Sequence, residues 1–153
     1  MRVFIDPGAS GGIVYTNDDG TNIRSIAMPK SDDQISFALV PEHFGGREAY
    51  LEELIKYTGW AMPASAMAVY ASNWGFIKGV LTYCGYNIQI ISPKAWQHAI
   101  GMKRVKKEPK TQWKNRLKLK AQELYPQLKV TLSNADALLI MHAINTGLLK
   151  PSS

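Results

Sequence analysis

The first sixteen residues constrain the fold more than any other stretch. Val3 to Asp6 is an apolar run that closes on a carboxylate, Pro7-Gly8 turns the chain, and Gly11 to Thr16 returns as a second strand. Asn17-Asp-Asp-Gly20 is a strong turn signal, and Asn22 to Met28 follows as a third strand, so the chain opens as an antiparallel meander. A carboxylate that ends a buried strand needs a partner, because an unpaired buried charge is expensive and a metal is the usual remedy. Asp6 is therefore a candidate functional residue as well as a residue that shapes the turn.

The pattern then changes period. Asp33 to Val40 reads as a helix, ended by Pro41 and Gly45-Gly46, and Glu48 to Leu54 as a strand. Ala64 to Tyr83 is a long helical stretch rich in small residues, broken in character around Gly75 and Gly79, and Asn87 to Ile91 is again a strand. Ser92-Pro93 is an N-cap and first-turn pair for a short helix, Lys94 to Ile100. After a basic loop over 101–110, Thr111 to Tyr125 is amphipathic, with Trp113, Leu117, Ala121 and Leu124 on one face, and Pro126 stops it. Leu128 to Thr131 reads as a short strand and Ser133 as the N-cap of the last helix. This order predicts an α/β fold with a mixed sheet of five or six strands, the first three antiparallel, and helices on both faces. No repeat, low-complexity tract or linker divides the chain, which is expected to be one domain over 1–153.

Composition excludes several classes. At 153 residues and 46% hydrophobic, the chain is long and apolar enough for a core without staples. One cysteine, Cys84, rules out a disulfide framework and fits a reducing compartment, with the thiol as a small core side chain. No leader pattern and no apolar run near ~20 residues is visible, which predicts a cytoplasmic protein with no membrane association. The net charge is +6 and unevenly spread: nine of the twelve acids but five of the eighteen bases fall in residues 1–70. Lys103, Arg104, Lys106, Lys107, Lys110, Lys114, Arg116, Lys118 and Lys120 form the densest basic stretch, interrupted by Glu108 alone. Acids gathered in one half and bases in the other suit a polyanion held against a cation site, and nucleic acid is the expected partner. With about six phosphates engaged, log affinity should fall with log salt at a slope of about −5. Such contacts position a backbone and do not read bases.

Two further acids join Asp6. Glu52 lies on the strand expected to pair beside the first, and alternation sets Glu52 and Glu53 on opposite faces. Asp136 stands in the first turn of the last helix, where the dipole favours an ionised carboxylate. Three carboxylates on three buried-looking elements point to a hard-cation site. His98 and His142 have no second His or Cys at ligand spacing and His43 is in a loop, so zinc is not expected.

In series, these segments resemble a known family. Ile5-Asp6-Pro7-Gly8-x-x-Gly11-Gly12, Tyr50-Leu51-Glu52, Met62-Pro63 with Ser65, Asn73-Trp74-Gly75-Phe76 with Gly79, Ser92-Pro93-Lys94-Ala95-Trp96 and Ala135-Asp136-Ala137-Leu138-Leu139 resemble, in that order, the motifs of the RuvC-type Holliday junction resolvases, especially their small phage-encoded relatives. The resemblance implies a ribonuclease-H-like fold in which Asp6, Glu52 and Asp136 are catalytic and bind Mg²⁺, with Mn²⁺ as a substitute. In such sites two metals about 4 Å apart drive in-line attack on a phosphate. Better-known members carry a fourth acid three residues before the last Asp, where this chain has Ser133, which leaves Glu53 and Asn134 as candidates at the second metal. The resemblance further implies branched DNA, above all four-way junctions, as partner, with Lys103 to Lys118 on phosphates. Trp74, Phe76 and Lys78 fall where relatives approach the junction centre, although core packing is the default reading for both aromatics and for Trp113.

The two-fold symmetry of a junction makes a homodimer the natural assembly; the small residues of Ala64 to Ala71, Gly75 and Gly79 suit close packing of two such helices and equally suit packing on their own sheet. The alternatives are a ribonuclease-H-like nuclease of flaps, forks or RNA–DNA hybrid, and a non-catalytic nucleic-acid-binding protein. The Asp6-x-Gly8-x-x-Gly11 loop also resembles that of actin-like ATPases and sugar kinases, but they need a duplicated domain and a second such loop, which this chain lacks.

Overall fold

Alternation along the strands determines the architecture. In the computed structural model, which describes residues 1–41, 46–54 and 62–151, β1 (Arg2–Asp6), β2 (Gly12–Thr16) and β3 (Arg24–Ala27) form the expected antiparallel meander. β4 (Glu48–Glu52) lies parallel to β1, and β5 (Asn87–Ile91) lies parallel to β4. The strand order is β3-β2-β1-β4-β5, so β1 is central and β4 is its neighbour. Val3, Ile5, Ile13, Ala49 and Leu51 face one side, where α1 (Asp32–Leu39) and α2 (Ala64–Tyr83) cover them with Ile35, Leu39, Ile77 and Leu81. Phe4, Val14 and Tyr50 face the other, against Trp96 of α3 (Pro93–Ala99), Trp113 and Leu117 of α4 (Lys110–Leu124) and the apolar α5 (Ala135–Asn145). Trp113 is thus a core residue, 6% exposed, as its helical spacing predicts. Phe4 and Tyr50, register partners on β1 and β4, stack with centroids 4.9 Å apart.

The ends of most elements agree with the sequence reading to within two residues. The strand expected at Leu128 to Thr131 does not form; that segment is a bend followed by irregular chain. The Asn134 side chain takes the place of a ladder there, accepting from the Thr131 amide at 2.8 Å and donating to the Lys129 carbonyl at 3.1 Å and Ser25 Oγ at 2.9 Å. Asn134, not Ser133, is consequently the residue that precedes the first turn of α5. Ser92 caps α3 by position, with Pro93 at its first turn. His43 lies outside the described residues. Cys84 is a half-buried thiol packed against the α1–α2 side of the core. Among the described residues, no helix is long and apolar enough to cross a membrane.

Candidate functional site

The same alternation that builds the core aims the acids. Asp6 follows Phe4 by two residues and Glu52 follows Tyr50 by two, so both carboxylates leave the ends of adjacent parallel strands on the α3–α5 face. Asp136, in the first turn of α5, is 3% exposed and Glu52 is 7% exposed. α5 reaches this position because Gly12 admits the turn before it: a Cβ there would stand 2.6 Å from the Ser133 carbonyl oxygen. Gly11 has the same role beside Asp6, where a Cβ would lie 2.7 Å from the carboxylate carbon.

Several donors hold the acids in place. The Gly8 amide donates to Asp6 Oδ1 at 3.2 Å, and Trp96 Nε1 donates to Glu52 Oε2 at 3.1 Å. Two consecutive residues of α2 hold the strand ends from the opposite side of the sheet: Asn73 Nδ2 donates to the Pro7 carbonyl at 2.6 Å, and Trp74 Nε1 to the Glu52 carbonyl at 2.9 Å. Lys114 of α4 donates through Nζ to Asp136 Oδ2. Among the described residues, Asp136 Oδ1 is buried with no hydrogen-bond partner.

Burial, then the charge of Asp136, pushes the Asp6 carboxyl up to about 6, against the pull of Lys114, the Gly8 amide and Lys110. Burial, then Asp6 and Asp136, raises Glu52 well above the ordinary glutamate range. Lys114 is held down by burial, but Asp136 and Asp6 outweigh this, so its ammonium stays firmly charged. These are the marks of clustered like charges that lack enough positive charge among them. The orphaned Asp136 Oδ1 and the mutual repulsion fit a hard cation. Among the described residues, no three His, Cys, Asp or Glu side chains are gathered tightly enough to hold a single ion between them. Mg²⁺ does not require that, since it keeps several waters and takes one or two carboxylates.

The remaining candidates sort by what they touch. Glu53 is half-buried, and Asn134 is engaged in the turn it stabilises, which leaves Asp6, Glu52 and Asp136 as the acids brought together. Lys103, Lys106, Lys107 and Lys110 are exposed, Lys118 is half-exposed, and Lys120 lies 3.8 Å from Glu123. Arg104 and Arg116 are both bonded to Glu108, and Lys114 is bonded to Asp136. Trp74 supports Glu52 and carries the Lys78 ammonium 5.2 Å from its ring centroid, while Phe76 packs half-buried against the core. The supporting roles of Asn73, Trp74, Trp96 and Lys114 were not legible in the sequence. The one local hint is a pair of adjacent side-chain donors, Asn73-Trp74, in the middle of a helix rich in small and apolar residues.

No protein-family model matches the chain, and no curated sequence does. Among solved structures, Thermus thermophilus RuvC aligns over 99% of both chains with a TM-score of 0.56 at 18% identity. T. thermophilus RuvC in complex with Holliday junction substrate aligns over the same shares with a TM-score of 0.54 at 16% identity. The chain therefore has the ribonuclease-H-like fold of RuvC.

Proposed function

We propose that the protein is a metal-dependent endodeoxyribonuclease selective for branched DNA, four-way junctions above all. The observation that carries this reading is the meeting of Asp6, Glu52 and Asp136 beside a basic segment, with one buried carboxylate oxygen left unpartnered. The fold of a protein solved with a Holliday junction supports the choice of substrate. Asp6, Glu52 and Asp136 would supply the carboxylate ligands of Mg²⁺, or of Mn²⁺ in its place, with water completing the coordination. When bound, the metal supplies Lewis-acid polarisation of the phosphate and an activated water. Asp6 and Glu52 bind a cation as carboxylates, so metal affinity rises with pH through the Asp6 value of about 6. Lys103, Lys106, Lys107, Lys110 and Lys118 neutralise phosphates, while Trp74 keeps the end of β4 in register.

A homodimer presents two such sites to a two-fold substrate. Exposed Val69 on the first turns of α2, and the apolar groove between α1 and α2 lined by Val40, Phe76, Val80 and Tyr83, supply a surface for it.

The test is a cleavage panel of four-way junction, flap, fork, RNA–DNA hybrid and linear duplex with Mg²⁺. Junction cleavage that is lost in Asp6→Asn and Asp136→Asn, with binding retained, supports the reading. Preference for duplex over junction overturns the substrate, and near-native cutting by either variant overturns the site.

A further inference from the structure

The loop between α3 and α4 is built around one buried acid. Glu108 is 7% exposed and is the sole acid in residues 101–120. Its Oε2 accepts from the Val105 amide at 3.0 Å, and Arg116 Nη1 donates to Oε1 at 2.9 Å and Oε2 at 3.0 Å. Its backbone carbonyl accepts from Arg104 at 3.2 Å through Nε and 2.7 Å through Nη2. Arg116 also lies 5.2 Å over the Trp113 ring and donates to the Lys103 carbonyl at 3.4 Å, which ties the loop to the core. Lys107 sits at φ 65, a left-handed conformation that a lysine keeps only where its surroundings hold it there. Burial raises the Glu108 carboxyl, but the Val105 amide, Arg116 and Arg104 outweigh it, so Glu108 stays ionised at neutral pH.

A patch that attracted nucleic acid by charge alone would be weakened by an acid at its centre. The acid here has a different effect: its carboxylate takes up one cation, Arg116, while its backbone carbonyl holds Arg104, and together these bonds give the other basic residues a fixed shape. We propose that Glu108 is a positioning residue that preforms loop 103–107 as a ridge for one DNA strand. The ridge presents Lys103, Lys106 and Lys107 to successive phosphates and leads into Lys110, which is near enough to act on the charge of Asp6. Preformed contacts of this kind bind with less ordering loss than a flexible lysine tail. The inference rests on the nuclease reading above and adds the element that aligns the strand with the carboxylates.

The sign of one mutation tests it. Binding of a labelled four-way junction is measured by anisotropy in EDTA from 50 to 200 mM salt, for wild type, Glu108→Gln, Glu108→Ala, Arg116→Lys and Glu123→Gln. Glu123 is an exposed acid outside the loop, so Glu123→Gln makes the same charge change with no effect on loop shape. Expected are unchanged or tighter binding for Glu123→Gln and about ten-fold weaker binding for Glu108→Gln, with a salt slope shallower by about 2. Arg116→Lys, which keeps the charge but loses the fork, should fall between them. In Mg²⁺, Glu108→Gln should raise KM while kcat at saturating junction stays within about three-fold.

Equal or tighter binding by Glu108→Gln overturns the inference and leaves the nuclease reading standing. A wild type that binds no DNA overturns both. Should both Glu108→Gln and Glu108→Ala fail to fold by circular dichroism, Arg116→Lys decides alone, and unchanged affinity there overturns the inference.

Discussion

Asp6→Asn should make the metal-free protein more stable while it abolishes cleavage, and the size of the gain follows from the site. The Asp6 carboxyl is raised from its ordinary 3.8 to about 6, first by burial and then by Asp136. A raised acid holds its proton more tightly when folded, so its penalty is absent below pH 4. The penalty grows as pH rises from 4 to 6 and is complete above that. Two pKa units at 1.36 kcal/mol each amount to about 3 kcal/mol at pH 7.5. For a chain of this size that is a rise in Tm of about 6–12 °C. Asparagine keeps the oxygen that accepts from Gly8 at 3.2 Å, so the change removes charge with little loss of hydrogen bonding. The assay is thermal unfolding of both proteins in EDTA from pH 4 to pH 8. The difference in Tm should be near zero at pH 4, open between pH 4 and 6, and then level off. A variant no more stable than wild type at pH 7.5, or a gap that does not change with pH, would refute the reasoning.

Two other outcomes follow from the packing. Gly11→Ala puts a methyl 2.3 Å from the Asp6 carbonyl oxygen, so β1 and β2 must part; junction cleavage should drop at least ~100-fold, as ångström-scale misplacement does, with Tm falling as well. Lys114→Met leaves buried Asp136 without its ammonium and should lower metal-free stability by about 1–2 kcal/mol, discounted because the lysine side chain is 34% exposed. Urea unfolding measures that loss, and Mg²⁺ should narrow it; an unchanged midpoint would show that the pair contributes nothing.

How much of this could be read from the chain depends on how local each cause is. Strands β1, β2, β4 and β5 were legible because Val3-Phe4-Ile5 and Ala49-Tyr50-Leu51 are apolar on both faces of a central sheet, and turn residues bound them. The three acids were legible because each sits at a strand end or in a first helical turn, a position that the local sequence defines. Leu128 to Thr131 misled because Val130 is β-branched and buried as a strand residue would be, while the Asn134 amide bonds the backbone instead of a neighbouring strand. Trp96 on Glu52, Asn73 on Pro7 and Lys114 on Asp136 join segments 22 to 66 residues apart, and no local pattern encodes such a pairing. Arg116 and Arg104 counted as phosphate contacts in the sequence because charge is visible there, whereas their shared bond to Glu108 is visible only in three dimensions.

The contact of Gly12 with Ser133 has a consequence in time. It joins the second strand to the turn that opens the last helix, across more than a hundred residues. Non-local closures of this kind form late in folding. During synthesis the sheet strands and their helices emerge first, at a pace of roughly 5–20 residues per second, and they carry Asp6 and Glu52 without Asp136. A nascent chain therefore displays its basic loop before it has a complete set of acids. On the proposed function, the segment that would bind phosphates is made before the site that would hydrolyse them is complete.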